Sequence, residues 1–273
     1  MDPEAEQQAR DQLPEWHEFV GRLIDLSRPI GNVPVDLQDA FARMAVIYMY
    51  KQTSHLEAMK ALGSSRDCQL VARSMLEGVA QLVWAEEKPK RRATQWWEFA
   101  VIHDWRVMRL DKARGRLVSE DEEQQVLDNL AELGGQFLKS QEYRVVLQSN
   151  EGIPPGCDPF HGNWTKQGPS GLFAHLIIQG MMPQLTRDEY AMFSDWHHWS
   201  PGGAAQALHV EDYQQSYIAN SATAAALCLS LGFGCLLQVS LIADRATGAG
   251  KNQDLLSLDV ELTDWLRSVM PSE

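Results

Sequence analysis

Arg73 and Glu77 are the only charged residues between Cys68 and Ala85, in the run CQLVARSMLEGVAQLVWA. Four residues apart on a helix, they project from one face. The rest of that helix is apolar on every side, which is the pattern of a buried helix. Charges are rarely buried unless they are paired or put to use. The pair is either a structural ion pair that fixes helix register, or a polar centre that holds a substrate group or a catalytic histidine. Trp84 falls on the same face and would form an aromatic wall beside it.

A second constellation is Ser194-Asp195-Trp196-His197-His198-Trp199-Ser200-Pro201. Adjacent histidines on a helix diverge by about 100°, so one of His197 and His198 faces inward. Ser194 and His198 are four apart and share a face. His198 is therefore a candidate general acid/base, and a polar plug at a helix end is the structural alternative. A third constellation is basic. Lys88 to Arg116 holds nine basic residues against Glu98, Asp104 and Asp111, a local charge of +6 in a chain of net charge −13. Helical spacing puts Trp105, Arg109 and Lys112 on one side. It puts Trp96, Ala100, His103, Val107 and Leu110 on the other, which reads as the core face with His103 as a core histidine. Interleaved basic and aromatic residues suit a single-stranded nucleic acid, and a solvated basic face is the alternative.

Glu77, His103, His175 and His198 are the residues a metal would draw on, but the paired Glu-x-x-His signature of bundle metal sites is missing. No phosphate-binding loop, dinucleotide fingerprint, H-E-x-x-H or G-x-S-x-G occurs, and neither a metal nor a cofactor is expected.

The elements that must position these residues are helical, and no strand run stands out. The sequence predicts a flexible acidic tail over 1–13, then one helical domain over 14–273. Helices are expected at Pro14–Leu26, Val35–Leu62, Arg66–Glu86, Pro89–Arg114, Ser119–Leu147, from Leu172, at Thr186–Trp199, Ala204–Ala243 and Leu255–Val269. Arg28 to Pro34 reads as a turn from its Pro and Gly content. A Pro/Gly-rich loop over 149–171 contains NEGIPPGCDPFHGNWTKQGPSG, a composition typical of lids and binding loops. The expected class is all-α, an elaborated antiparallel helical bundle with an irregular insertion.

At 44% hydrophobic and 22% charged, the composition is that of a folded globular protein. Its net charge argues against coating nucleic acid with the whole surface. Cys68, Cys157, Cys228 and Cys235 lack zinc or disulfide spacing, so reduced thiols in a cytoplasm are expected. Tyr213 to Ala243 carries no charge and is long enough to cross a bilayer. It is rich in small residues and lacks flanking Lys/Arg clusters, so a central buried helix over 204–243 is favoured above a membrane span.

The order of three motifs resembles a widespread bacterial family of all-helical proteins of unknown function. They are ARSMLEG (Arg73 to Glu77), Trp164 followed by FAHLIIQG to Gly180, and Tyr190, Ser194 and His198 followed by Ser-Pro. The resemblance covers about residues 66–202. That family is reminiscent of HEPN helical bundles, many of them metal-independent ribonucleases or nucleotidyl-handling modules of toxin and phage-defence systems. No Arg-x(4–6)-His motif like theirs ends at His197 or His198, where the nearest preceding arginine is Arg187. The resemblance implies that Arg73 would meet His198 from another helix, His198 moving a proton and Arg73 stabilising phosphorane charge.

The expected function is therefore a stress- or defence-type protein that binds or cleaves RNA or a nucleotide at Arg73, Glu77 and His198. In that reading Ser194, His197, Trp84, Trp164, Trp105, Arg109 and Lys112 contribute to binding. A non-enzymatic module for a small ligand or partner protein, its pocket formed by tryptophans and the Pro/Gly loop, is the alternative. A membrane-associated protein is the third. A homodimer is compatible with such a bundle.

Overall fold

A computed structural model describes residues 2–140, 143, 153, 157–197, 208–211, 214–217 and 220–269. The class is all-α. The chain divides into two compact units, Met1–Glu87 with Phe173–Glu273, and Lys88–Leu172. The sequence reading expects one helical domain over 14–273; helical periodicity by itself carries no information about where contacts between helices thin out.

The first unit is built on α1 (Pro3–Gly31), α2 (Ala40–Leu62) and α3 (Cys68–Glu86). The acidic start is not a flexible tail, since α1 begins at Pro3 with Asp2 accepting a cap bond from the Glu4 amide. Nor does α1 end at Leu26. It runs through Pro14 and Pro29, both solvent-facing, so the carbonyls they leave unbonded can be hydrated. One apolar stripe, Trp16, Val20, Leu23, Ile24 and Ile30, keeps the helix whole by burial.

The boundary between the units falls inside α7 (Pro169–Ile178), and α8 (Leu185–His197) packs on α3. Here α7 to α10 are numbered after α4, α5 and α6 of the second unit. A short antiparallel hairpin, β1 (Leu208–Glu211) with β2 (Gln214–Tyr217), pairs Leu208 with Tyr217 and Glu211 with Gln214. It occupies part of the span expected as the helix 204–243. That helix, α9, starts at Ala222, where Ser221 caps the Ala224 amide, and ends at Thr247 before the left-handed Gly248. α1, α2 and α3 all pack against α9, and α10 (Asn252–Val269) closes on α1 and α9. Gly232 permits the approach of α2 and α3, because a Cβ there would lie 2.8 Å from Leu56 Cδ1 on α2 and 3.4 Å from Met75 Sδ on α3. α9 is long and apolar enough to cross a membrane, with a mean hydropathy of 2.1, and 61% of its most apolar window is buried inside the protein.

The second unit contains α4 (Pro89–Glu98), α5 (Ala100–Ala113), α6 (Glu120–Leu133) and a 3-10 turn, Gly134–Phe137. A capping box between Ser119 and Glu122 starts α6. Its core is Val101, Ile102, Trp105, Met108, Leu130, Phe137 and Phe160. The expected core face of α5 is therefore inverted: His103 is exposed, Val107 is 42% and Leu110 48% exposed, and Trp105 is 3% exposed. Two apolar stripes of equal periodicity run along this helix. The one that carries a tryptophan removes more apolar surface from water when buried. A break at Phe99 also takes Trp96 out of register with α5.

Candidate functional site

Arg73 and Glu77 lie on the part of α3 that faces α8, and α8 supplies the third member, Tyr190. The Tyr190 hydroxyl donates to Glu77 Oε1 at 2.8 Å and accepts from Arg73 Nη2 at 3.2 Å. Arg73 Nε stands 3.3 Å from the same Glu77 oxygen, and the guanidinium carbon lies 5.3 Å from the Tyr190 ring centroid. Phe173 packs against that ring, tilted, with 4.9 Å between centroids. Burial pushes the Tyr190 hydroxyl above its usual range, and the Glu77 carboxylate adds to the effect, while Arg73 opposes it. Tyr190 is thus a neutral donor at physiological pH.

The cluster is incompletely satisfied. Arg73 Nε is enclosed and has no well-directed hydrogen bond, so the 3.3 Å approach to Glu77 is an ion pair only. The Ser194 hydroxyl, one turn along from Tyr190, is likewise enclosed; it faces the tyrosine oxygen without completing a hydrogen bond of good geometry. Buried polar groups are normally bonded, so two orphans in one cluster call for an explanation. Next to Tyr190, burial raises the Glu189 carboxyl above its ordinary range, helped by Asp188.

The expected residues are only partly brought together. Arg73, Glu77 and Ser194 converge, joined by Tyr190. Trp84 is buried two turns beyond Glu77 in the helix core. His197 ends α8, and its side chain lies outside the described residues, as does the whole of His198. Among the described residues no three metal-ligating side chains cluster. His175 instead pairs with Glu87 at 2.9 Å.

Trp164, Trp105, Arg109 and Lys112 belong to the second unit, where they have structural partners. Trp164 is buried and its carbonyl accepts from Gln95 Nε2 at 2.6 Å. Trp105 meets Phe160 edge-on at 5.2 Å. Arg109 lies over the Trp105 ring at 4.8 Å and donates to the Cys157 carbonyl. Lys112 pairs with Glu123 at 2.6 Å. Arg106 binds Asp158 at 3.0 Å and the His161 carbonyl at 2.9 Å. Burial alone would raise the Asp158 carboxyl, but the hydrogen bond and charge of Arg106 prevail and hold it below its ordinary range. Much of the basic face of α5 therefore holds the segment 157–161 in place.

Sequence reasoning missed Tyr190 as a site residue, although its i, i+4 spacing to Ser194 was visible. It also missed Arg66 and Gln69. Gln69, Arg73 and Glu77 fall four apart along α3 and share one face, and Arg66 lies in the turn that leads into it. Comparison with family models, with curated proteins and with solved structures finds no match for this chain.

Proposed function

We propose that this protein binds a phosphate-bearing ligand of nucleotide type at the Arg73–Tyr190–Glu77 centre. The observation that carries the reading is the enclosed Arg73 Nε, a donor beside a carboxylate that does not satisfy it. A guanidinium presents donors in a planar fork that matches phosphate oxygens, and burial strengthens such a bond. Ser194 adds a hydroxyl donor, and Tyr190, whose own proton goes to Glu77 Oε1, holds the Arg73 guanidinium in place. Glu77 is an acceptor and suits a sugar hydroxyl or an exocyclic amine rather than a phosphate.

RNA cleavage would need a proton-transfer partner. The resemblance points to His198 for that role, outside the described residues. The paired state of Arg106, Arg109 and Lys112 favours a nucleotide-sized ligand over a long RNA held along the basic face.

The test is calorimetric titration of the purified full chain with nucleoside mono-, di- and triphosphates, beside RNA oligonucleotides assayed for cleavage with and without EDTA. Binding that is lost in Arg73→Met and weakened in Tyr190→Phe supports the reading. Cleavage lost in His198→Ala and indifferent to EDTA would extend it to a ribonuclease. A well-folded wild type that neither binds nor cleaves would make Arg73 and Glu77 a structural pair.

A further inference from the structure

One cation near the start of α3 has no counter-charge. Arg66 is 6% exposed, and its Nε is enclosed with no hydrogen-bond partner. Among the described residues no carboxylate lies within ion-pair distance of it. Three residues on, Gln69 is 3% exposed and its Oε1 is also without a partner. A guanidinium cannot escape by losing its proton, and an uncompensated buried charge is costly. The two groups flank a single hydrogen-bonded turn, Gln69 N to Arg66 O at 3.0 Å, so one ligand could satisfy both.

The surroundings explain why none of the described residues does so. Asp67 is adjacent in sequence and exposed, and residues i and i+1 do not face each other. Arg66 sits where the Ser64–Ser65 turn meets Asn220 and Ser221, with Ser221 N donating to Ser64 O at 2.7 Å. The carboxylate bonded to Ser221 is Glu6, which is already committed to Ser221, Ala222, Thr223 and Arg10. The first amides of α3 are taken by the preceding turn: Cys68 N to Ser65 O, Gln69 N to Arg66 O, and Leu70 N to Asp67 O. An occupant would thus be held by side chains, with the positive end of the helix dipole in its favour.

We propose that Arg66 and Gln69 form an oxyanion site for a phosphate group at the start of α3. A phosphate would take the Arg66 donors as a fork and accept from the Gln69 amide, while a protonated phosphate oxygen would donate to Gln69 Oε1. Gln69 lies roughly 6 Å along α3 from Arg73, by the rise of four residues. The site stands on its own observations. Where the nucleotide reading also holds, this face of α3 and the turn before it order the ligand: sugar toward Glu77, first phosphate at Arg73, and a terminal phosphate toward Arg66.

The experiment is thermal unfolding of the full chain in phosphate-free buffer and against inorganic phosphate, with ADP and ATP as separate arms. It is run on wild type, Arg66→Met, Gln69→Leu and Arg73→Met. Phosphate is expected to raise the wild-type midpoint with dose. Arg66→Met should melt a few degrees above wild type without phosphate, since it removes an unpaired buried charge, and should weaken phosphate binding ~10-fold or more. Arg73→Met should keep the phosphate response. The Arg66 side-chain Nε–H resonance of the wild type, which needs no variant to fold, should shift on phosphate addition.

A wild type blind to phosphate by melting and by resonance would overturn the proposal. So would an Arg66→Met chain less stable than wild type in phosphate-free buffer. A wild type that responds to inorganic phosphate and to no nucleotide would keep this site and remove the nucleotide reading. A response to ATP but not to phosphate, retained in Arg66→Met, would do the reverse.

Discussion

Replacing Glu6 tests whether the first residues belong to the folded protein. Its carboxylate accepts from Ala222 N at 2.5 Å, Thr223 N at 3.2 Å, Thr223 Oγ1 at 3.0 Å and Ser221 Oγ at 3.1 Å. The side chain is only 16% exposed, so water cannot replace all four bonds. A charge at a helix N-terminus contributes up to about 2 kcal/mol when partly buried. A lost amide partner there adds about 1 kcal/mol, in line with losing a cap. Glu6→Ala should therefore cost about 2–3 kcal/mol. Glu6→Gln keeps an acceptor and loses the charge, and should cost about 1 kcal/mol.

The pH dependence has a definite sign. Burial alone would raise the Glu6 carboxyl, but its hydrogen bonds to Ala222, Thr223 and Ser221 outweigh this and hold it below the ordinary carboxylate range. A depressed carboxylate contributes stability above its unfolded pKa and loses it as pH falls through the folded one. The gap between wild type and Glu6→Gln should thus be constant near neutrality and close at pH below about 4.5. Urea unfolding followed by tryptophan fluorescence reads this, since Trp16 and Trp265 sit 5.4 Å apart in the unit that Glu6 joins. A Glu6→Ala midpoint within about 0.5 kcal/mol of wild type would refute the reasoning and return residues 1–13 to a dangling tail.

In the second unit, Trp105→Ala should cost about 3–5 kcal/mol through the cavity it leaves, whereas Leu110→Glu should fall within about 0.5 kcal/mol. Denaturant titration of the two variants decides which face of α5 is core, and the opposite ranking would restore the face read from sequence. Asp158→Asn should cost less than about 1 kcal/mol at pH 7, because Arg106 and Asp158 are 28% and 44% exposed and solvent screens the pair. That cost should shrink as pH falls and the wild-type carboxyl protonates, and faster amide exchange at Phe160 and His161 in the variant would report it.

Local patterning was enough for the helical class, for most helix positions and for the Arg73–Glu77 pair. A 3.6-residue period and an i, i+4 charge pair are properties of a single helix, and they need no partner to be legible. The apolar run ending at Ala243 announced a mostly buried helix for the same reason. What lay outside a single helix did not show. The sequence could not choose between the two stripes of α5, because the choice depends on Leu130, Phe137 and Phe160 arriving from elsewhere in the chain. It placed breaks at Pro14 and Pro29 that α1 overrides, since burial of a long apolar face outweighs two solvent-facing lost bonds.

Tyr190 was visible as a residue but not as the bridge between Arg73 and Glu77, which requires α8 to lie against α3. Arg66 read as the first residue of the helix that runs to Glu86, with nothing to mark it as enclosed. Only packing decides that a charge is enclosed and that the Glu6 carboxylate close by is already engaged.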